Sequence, residues 1–142
     1  MEIRIKYHEP KLEKLRSITV GDWIDLRSAE TVELHAGEFR YISLGVSMKL
    51  PEGYEAHIAP RSSSFQKWGF LQVNSVGVVD NSYSGTNDIW KLPVYATRDA
   101  VIRLNDRICQ FRILQRMSQV TFLEVDELDA QDRGGFGSTG VR

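Results

Sequence analysis

The run Ile42-Ser43-Leu44-Gly45-Val46-Ser47-Met48-Lys49-Leu50 constrains the fold more than any other stretch of the chain. Apolar side chains recur at every second position, and successive side chains on a strand point to opposite faces. The spacing predicts one half-buried strand from Ile42 to Leu50. Pro51-Glu52-Gly53 then turns the chain, and Tyr54, Ala56 and Ile58 begin a return strand. Pro60 has no N–H to donate and ends regular pairing there.

Other stretches behave the same way. Glu2 to Tyr7 alternates, Gly21 to Leu26 enters a strand, and Thr31 to Leu34 is a short one. Leu12 to Val20 is either irregular or a short helix. Arg61 to Gly69 has room for one helical turn. Phe70 to Val79 reads as a strand feeding a tight hairpin over Gly77-Val78-Val79-Asp80-Asn81-Ser82-Tyr83-Ser84-Gly85. Trp90, Leu92, Val94 and Ala96 alternate, with Pro93 restricting that strand to an edge or an irregular position. Val101 to Leu104 and Arg107 to Leu114 form a hairpin about Asn105-Asp106, and Val120 to Val125 is a last strand. Many short strands without a long helical period indicate an all-β barrel or sandwich. Residues 1–130 form its body, and the glycine-rich residues 131–142 a flexible tail.

Lysine and arginine number 18 against 19 acids, a formal net charge of −1. That balance opposes a dedicated nucleic-acid or membrane-surface binder. The lone cysteine, Cys109, has no partner within the chain and fits a reducing cytoplasm. It reads as a packed thiol, and His8, His35 and His57 lack metal-ligand spacing. No apolar signal region or long apolar run points to export or membrane insertion.

Three patches pair a guanidinium with small polar groups or glycines: Pro60-Arg61-Ser62-Ser63, Asp106-Arg107-Ile108-Cys109-Gln110, and Arg133-Gly134-Gly135-Phe136-Gly137-Ser138-Thr139-Gly140. Arginine's planar fork matches phosphate oxygens, serine adds neutral donors, and successive glycines can form an anion-binding nest. In a chain that is not basic overall, such donors suit a compact polyphosphate. Asp80 is the isolated acid in this company, placed to orient and deprotonate a water near a phosphate ester. Tyr83 follows three residues on and can pack against a sugar or base. Each patch alone has a plainer reading. Asp106-Arg107 is commonly a solvated turn, and the glycine run lacks the Gly-Lys-Ser/Thr ending of a phosphate-binding P-loop.

Taken in order, these patches resemble the homotrimeric deoxyuridine triphosphatase (dUTPase) family, of the type found in Gram-positive bacteria and their phages. Asp25-Leu26 lies where its first motif falls and Pro60-Arg61-Ser62 resembles the second. Gly77 to Gly85 resembles the third, Arg107-Ile108-Cys109-Gln110 the fourth, and Gly135 to Gly140 the fifth. The resemblance implies a jelly-roll-like β-barrel, a homotrimer with active sites shared between subunits, and hydrolysis of dUTP to dUMP and pyrophosphate with Mg²⁺ on the triphosphate. It makes Asp80 the general base, sets Tyr83 against the deoxyribose, and has Asn74 and Gly77 read the uracil. Arg61, Ser62, Ser63 and Gln110 would meet the phosphates, and Asp25 would support the metal through water. Arg133, Gly137, Ser138 and Thr139 would close on the γ-phosphate while Phe136 covers the uracil. Departures from the family pattern are Asp22-Trp23-Ile24 before Asp25, Ser63 in place of glycine, Thr86 in place of an acid, and a short fifth motif.

Two other readings compete. A dCTP deaminase resembles this fold, yet Ile89 to Tyr95 holds no glutamate to serve as its catalytic acid–base. A nucleotide-sensing regulatory trimer would instead use the tail to engage a protein partner.

Overall fold

The computed structural model describes residues 1–16, 20–137 and 140–141. The described chain is all-β and jelly-roll-like. Its elements are β1 (Arg4–Tyr7), β2 (Ile24–Arg27), β3 (Val32–Leu34), β4 (Phe39–Ser43), β5 (Val46–Lys49), β6 (Tyr54–Pro60), α1 (Ser64–Trp68), β7 (Phe70–Gln72), β8 (Gly77–Val79), β9 (Lys91–Ala96), β10 (Ala100–Ile102) and β11 (Arg107–Gln115). The strands pair antiparallel in four sheets, β2-β11-β6-β8, β4-β9-β7, β1-β5 and β10-β3, which do not close into one continuous barrel. All four face one core. Trp90 and Phe111 meet there edge to face at 5.3 Å, packed among Leu26, Ile42, Leu44, Val46, Leu92 and Ile108. Burying side chains of this size is the main favourable term holding the ladders together.

The alternating run Ile42–Leu50 is two strands. β4 pairs with β9 and β5 with β1, and Gly45 breaks the chain between them at φ 66°. The period of two survives because both strands present the same parity to the shared core. Trp90 stitches the break, accepting from the Leu44 N–H at 2.9 Å and donating to the Val46 carbonyl at 2.8 Å. A Cβ at Gly45 would fall 2.5 Å from the Ala29 Cβ in a conformation L-residues rarely adopt. Gly45→Ala is therefore expected to cost about 1–3 kcal/mol in denaturant melts; a loss within a few tenths would show that the break relaxes freely.

Several expected pairings are replaced by others. β6 does not return on β5 but lies between β11 and β8. Phe70 to Val79 divides into β7 and β8, in different ladders, and Gly77–Gly85 is a strand leading into a loop rather than a hairpin. β10 and β11 are likewise no hairpin; β10 pairs with β3, and β11 joins β2 to β6. Pro93 lies in the central strand of its sheet. Its carbonyl accepts from Val73 just beyond β7, so its missing N–H falls where that pairing stops. The described part of Leu12–Val20 contains no helix. Val120–Val125 pairs with nothing among the described residues: alternation marks a strand only where an edge is available to receive it, and here Phe122 is 92% exposed.

Candidate active site

Two polar clusters flank β6. The first is built on β8 and the turn before it. Ser75 takes a φ of 55°, and the Val76 N–H bonds the Asn74 carbonyl, raising Asn74 to the rim of a pocket of about 270 Å³. Tyr41, Ile58, Gly77, Tyr83 and Lys91 contribute to its walls. Gly77 pairs with Ile58, and a Cβ on it would sit 3.3 Å from the Ile58 Cβ and 3.4 Å from Asn74 Nδ2. Glycine keeps that part of the pocket open.

Asp80 stands between Val79 and Tyr83, both of which touch the pocket. Its Oδ1 accepts the Ser82 hydroxyl and, at 2.8 Å, the Ser82 N–H, an Asx-type turn. Those bonds, the hydroxyl's first, hold the carboxyl below the ordinary aspartate value. Oδ2 has no hydrogen-bond partner among the described residues and faces solvent. The Tyr83 hydroxyl donates to the Ile89 carbonyl at 3.1 Å, which fixes its ring while leaving it partly exposed. Asn81 anchors the loop through bonds to the Leu50 and Pro51 carbonyls, at 3.0 and 2.8 Å.

The second cluster centres on Asp25. Register brings Asp25 on β2 opposite Gln110 on β11, itself opposite Ala59 on β6. Arg61 Nε lies 3.0 Å from Asp25 Oδ1 and Arg107 Nη1 3.1 Å from Oδ2. Pairs this exposed add little stability; their effect is to hold two guanidiniums side by side. Ser64 secures the arrangement from below. Its buried hydroxyl donates to the Ile108 carbonyl at 2.9 Å and accepts the Arg61 N–H at 3.1 Å. Ser62 is exposed nearby, Ser63 occupies the N-cap of α1 without a side-chain capping bond, and Gln110 Nε2 donates to the Pro60 carbonyl at 3.2 Å. Cys109 is fully buried; burial, then the charge of Asp25, push its thiol far up, so it stays protonated and packed.

One chain does not bring the two clusters together. Asp80 continues β8 past the Val79↔Ala56 pair, whereas Gln110 is level with Ala59 and two strands across; strand geometry separates them by roughly 15 Å. Arg133, Phe136 and Gly137 lie on exposed chain beyond the sheets, with Phe136 packed against nothing among the described residues. Ser138 and Thr139 lie outside the described residues.

The dUTPase family model matches residues 23–140, which include both clusters. The chain is 52% identical over its full length, and that of its relative, to the SPbeta prophage-derived deoxyuridine 5'-triphosphate nucleotidohydrolase YosS of Bacillus subtilis (strain 168). This chain belongs to the dUTPase family. A deoxyuridine 5'-triphosphate nucleotidohydrolase of Thermobifida fusca (strain YX) is 37% identical, with 99% of this chain and 79% of the relative covered. The fold matches the Staphylococcus bacteriophage 80alpha dUTPase with dUPNHPP at a TM-score of 0.82 and 21% identity, covering 99% of each chain.

A mutant dUTPase from phage phi11 of S. aureus, TM-score 0.77 at 18% identity over 92% of this chain and 100% of that one, is described with a coordinated structural Mg(II) ion. This dUTPase chain offers no group of three His, Cys, Asp or Glu side chains able to hold an ion among its described residues. Both oxygens of Asp25 already face arginines. The donor set fits an ion arriving on phosphate oxygens and keeping its waters, not a protein cage.

Sequence patterns already held Arg107, as the guanidinium of the Asp106–Gln110 patch, and Asn81, within the Gly77–Gly85 motif, but left Ser64 and Gln72 unmarked. Ser64 and Gln72 act through backbone carbonyls distant in sequence, and no local pattern marks such bonds.

Proposed function

We propose that this dUTPase-family chain hydrolyses dUTP to dUMP and pyrophosphate as a homotrimer with shared active sites. Asp80 carries the reading: an ionised carboxylate, tied by one oxygen and free at the other, beside a pocket of nucleoside-base dimensions. Its Oδ2 accepts a hydrogen bond from water and takes the proton as the water oxygen bonds the α-phosphorus. The bond from that phosphorus to the bridging oxygen breaks, and pyrophosphate leaves. Tyr83 packs on the deoxyribose, crowding out a 2′-hydroxyl, while Asn74 and the backbone at Gly77 meet the uracil edge. Arg61, Ser62, Ser63 and Gln110 bind phosphate oxygens, with Ser62 near the leaving bridge. Asp25 holds Arg61 and would support a bound metal ion only through water. Mg²⁺, when bound with the substrate, neutralises triphosphate charge.

The distance between the clusters supports a site completed by a second subunit. Exposed Val120, Phe122 and Val125 support an arm that packs on a neighbouring copy. Residues 131–142 then form the closing tail, with Arg133, Gly137, Ser138 and Thr139 on the γ-phosphate and Phe136 on the uracil. No helix among the described residues is long and apolar enough to cross a membrane, and the unpaired thiol supports a cytoplasmic setting.

Incubation with dUTP, dCTP and UTP plus Mg²⁺ tests the reading. Pyrophosphate from dUTP alone is expected, whereas ammonia from dCTP would replace it with deamination. A second role in binding a protein partner is favoured by one surface, the exposed Phe39, Tyr41, Leu71, Val73 and Tyr95 on the outer face of the β4-β9-β7 sheet. The phage 80alpha relatives are described as controlling transfer of virulence genes. Bound dUTP without either product would favour that role alone.

Ser82 sets the acid limit of turnover. Asp80 works as an anion, so activity disappears as pH falls through its pKa, which the Ser82 hydroxyl depresses. Ser82→Ala removes that bond, raises the pKa and moves the acid limb of the kcat profile to higher pH. An unmoved limb would assign it to another group.

A further inference from the structure

Gln72 is more than nine-tenths buried at the end of β7, against Ile58, Asn74 and Gly77 of the pocket wall. Its Nε2 donates to the Ile58 carbonyl and to Asn74 Oδ1, both at 3.0 Å. Its Oε1 is buried with no partner among the described residues. A leucine would fill similar space without stranding an acceptor, and buried polar atoms are ordinarily paired. What glutamine adds is a link of fixed polarity. The Ile58 carbonyl can only accept, so the Gln72 amide must turn its nitrogen toward it. The second N–H of that nitrogen then reaches Asn74, whose oxygen must accept. Asn74 is left with its Nδ2 directed to the Gly77 side of the pocket.

We infer that Gln72 is a positioning residue for pyrimidine selection, acting through Asn74. Resting on the dUTPase reading above, it deepens that site. An Asn74 amide locked with its nitrogen outward presents donors, which suit a pyrimidine carbonyl. The same donors oppose the 4-amino group of cytosine, since two donors cannot pair. Unlocked, the amide can rotate and offer its oxygen to that amine. The polarity of one main-chain carbonyl on β6 is thus passed through two side chains to the ligand edge.

The test uses the full chain with Gln72→Leu, Asn74→Ala and the double variant. Gln72→Leu is expected to raise the KM for dUTP while kcat stays near that of the parent. Its dUTP-over-dCTP ratio of kcat/KM should fall about tenfold. In the Asn74→Ala background the same change should cost nothing further, since the two act as one unit. Losses that add, or an equal loss for both nucleotides with a lowered kcat, would reduce Gln72 to a packing role. Calorimetric titration with dUMP and dCMP supplies the same ratio without turnover. If the parent cleaves no dUTP, the proposed activity fails while the binding ratio still judges Gln72. An unchanged dUMP preference in Gln72→Leu overturns the inference, including when melting shows the variant folded.

Discussion

Asp80→Asn is expected to lower kcat for dUTP by about 10²- to 10⁴-fold, the usual contribution of a positioned general base. Binding should survive. Asparagine is nearly isosteric, and its Oδ1 can still accept from Ser82, so the loop over Asp80–Asp88 keeps its shape. The lost quantity is the unpaired anionic oxygen, which takes a proton in the transition state; an amide cannot. Calorimetry with a non-hydrolysable dUTP analogue should give a Kd within a few-fold of the parent, while pyrophosphate release nearly stops. Turnover near the parent's would remove Asp80 from the chemistry. Equal loss of binding and rate would make it a structural residue of the loop.

Shortening the chain gives the second large effect, and its outcome depends on where the cut falls. Ending at Ala130 removes Arg133, Phe136 and the glycine run but leaves the apolar Val120–Val125 segment. The trimer should persist on sizing, and kcat/KM for dUTP should fall by about 100-fold, because substrate is no longer enclosed and aligned. Ending at Arg116 removes the apolar arm as well. Among the described residues Arg116 is the last whose backbone bonds to the body of the fold, its N–H meeting the carbonyl of Gly53 in the turn before β6 at 2.8 Å. That variant should fold and elute as a smaller species. A monomer from the Ala130 cut would move the subunit contact into the tail; a trimer from the Arg116 cut would remove the arm from it.

The class of fold was legible because alternation reports which side chains face a core. It does not report which strand lies alongside. Ile42, Leu44, Val46, Met48 and Leu50 are all buried as their spacing predicts, yet Ile42 pairs in one sheet and Val46 and Met48 in another. Pairing is decided by long-range contacts such as Trp90 bridging Leu44 and Val46, which leave no periodic trace. Asp80, Tyr83, Asn74 and Gly77 fall together because one strand and its flanking turns carry them. Asp25, Arg61 and Gln110 fall together through register across three strands, and only the motif order of a known family anticipated that. Gln72 was invisible: its partner Ile58 is a carbonyl on another strand, and any residue type can supply one.

β11 sits between β2 and β6, carries Ile108 and Phe111 into the core, and presents Gln110 and Arg107 at the Asp25 cluster. Along Cys109–Phe111, where β11 is flanked on both sides, its amides bond alternately to β2 and β6, so freeing all of them requires both pairings to part. In deuterium-exchange measurements they should be the slowest of the chain, opening only with the whole domain. The pocket rim at Asn74–Val76 hangs from a short turn and should exchange by local excursions. The Asp25–arginine cluster would therefore be tied through Arg107 to the most persistent strand of the protein, and the pocket rim to one of its most easily opened segments.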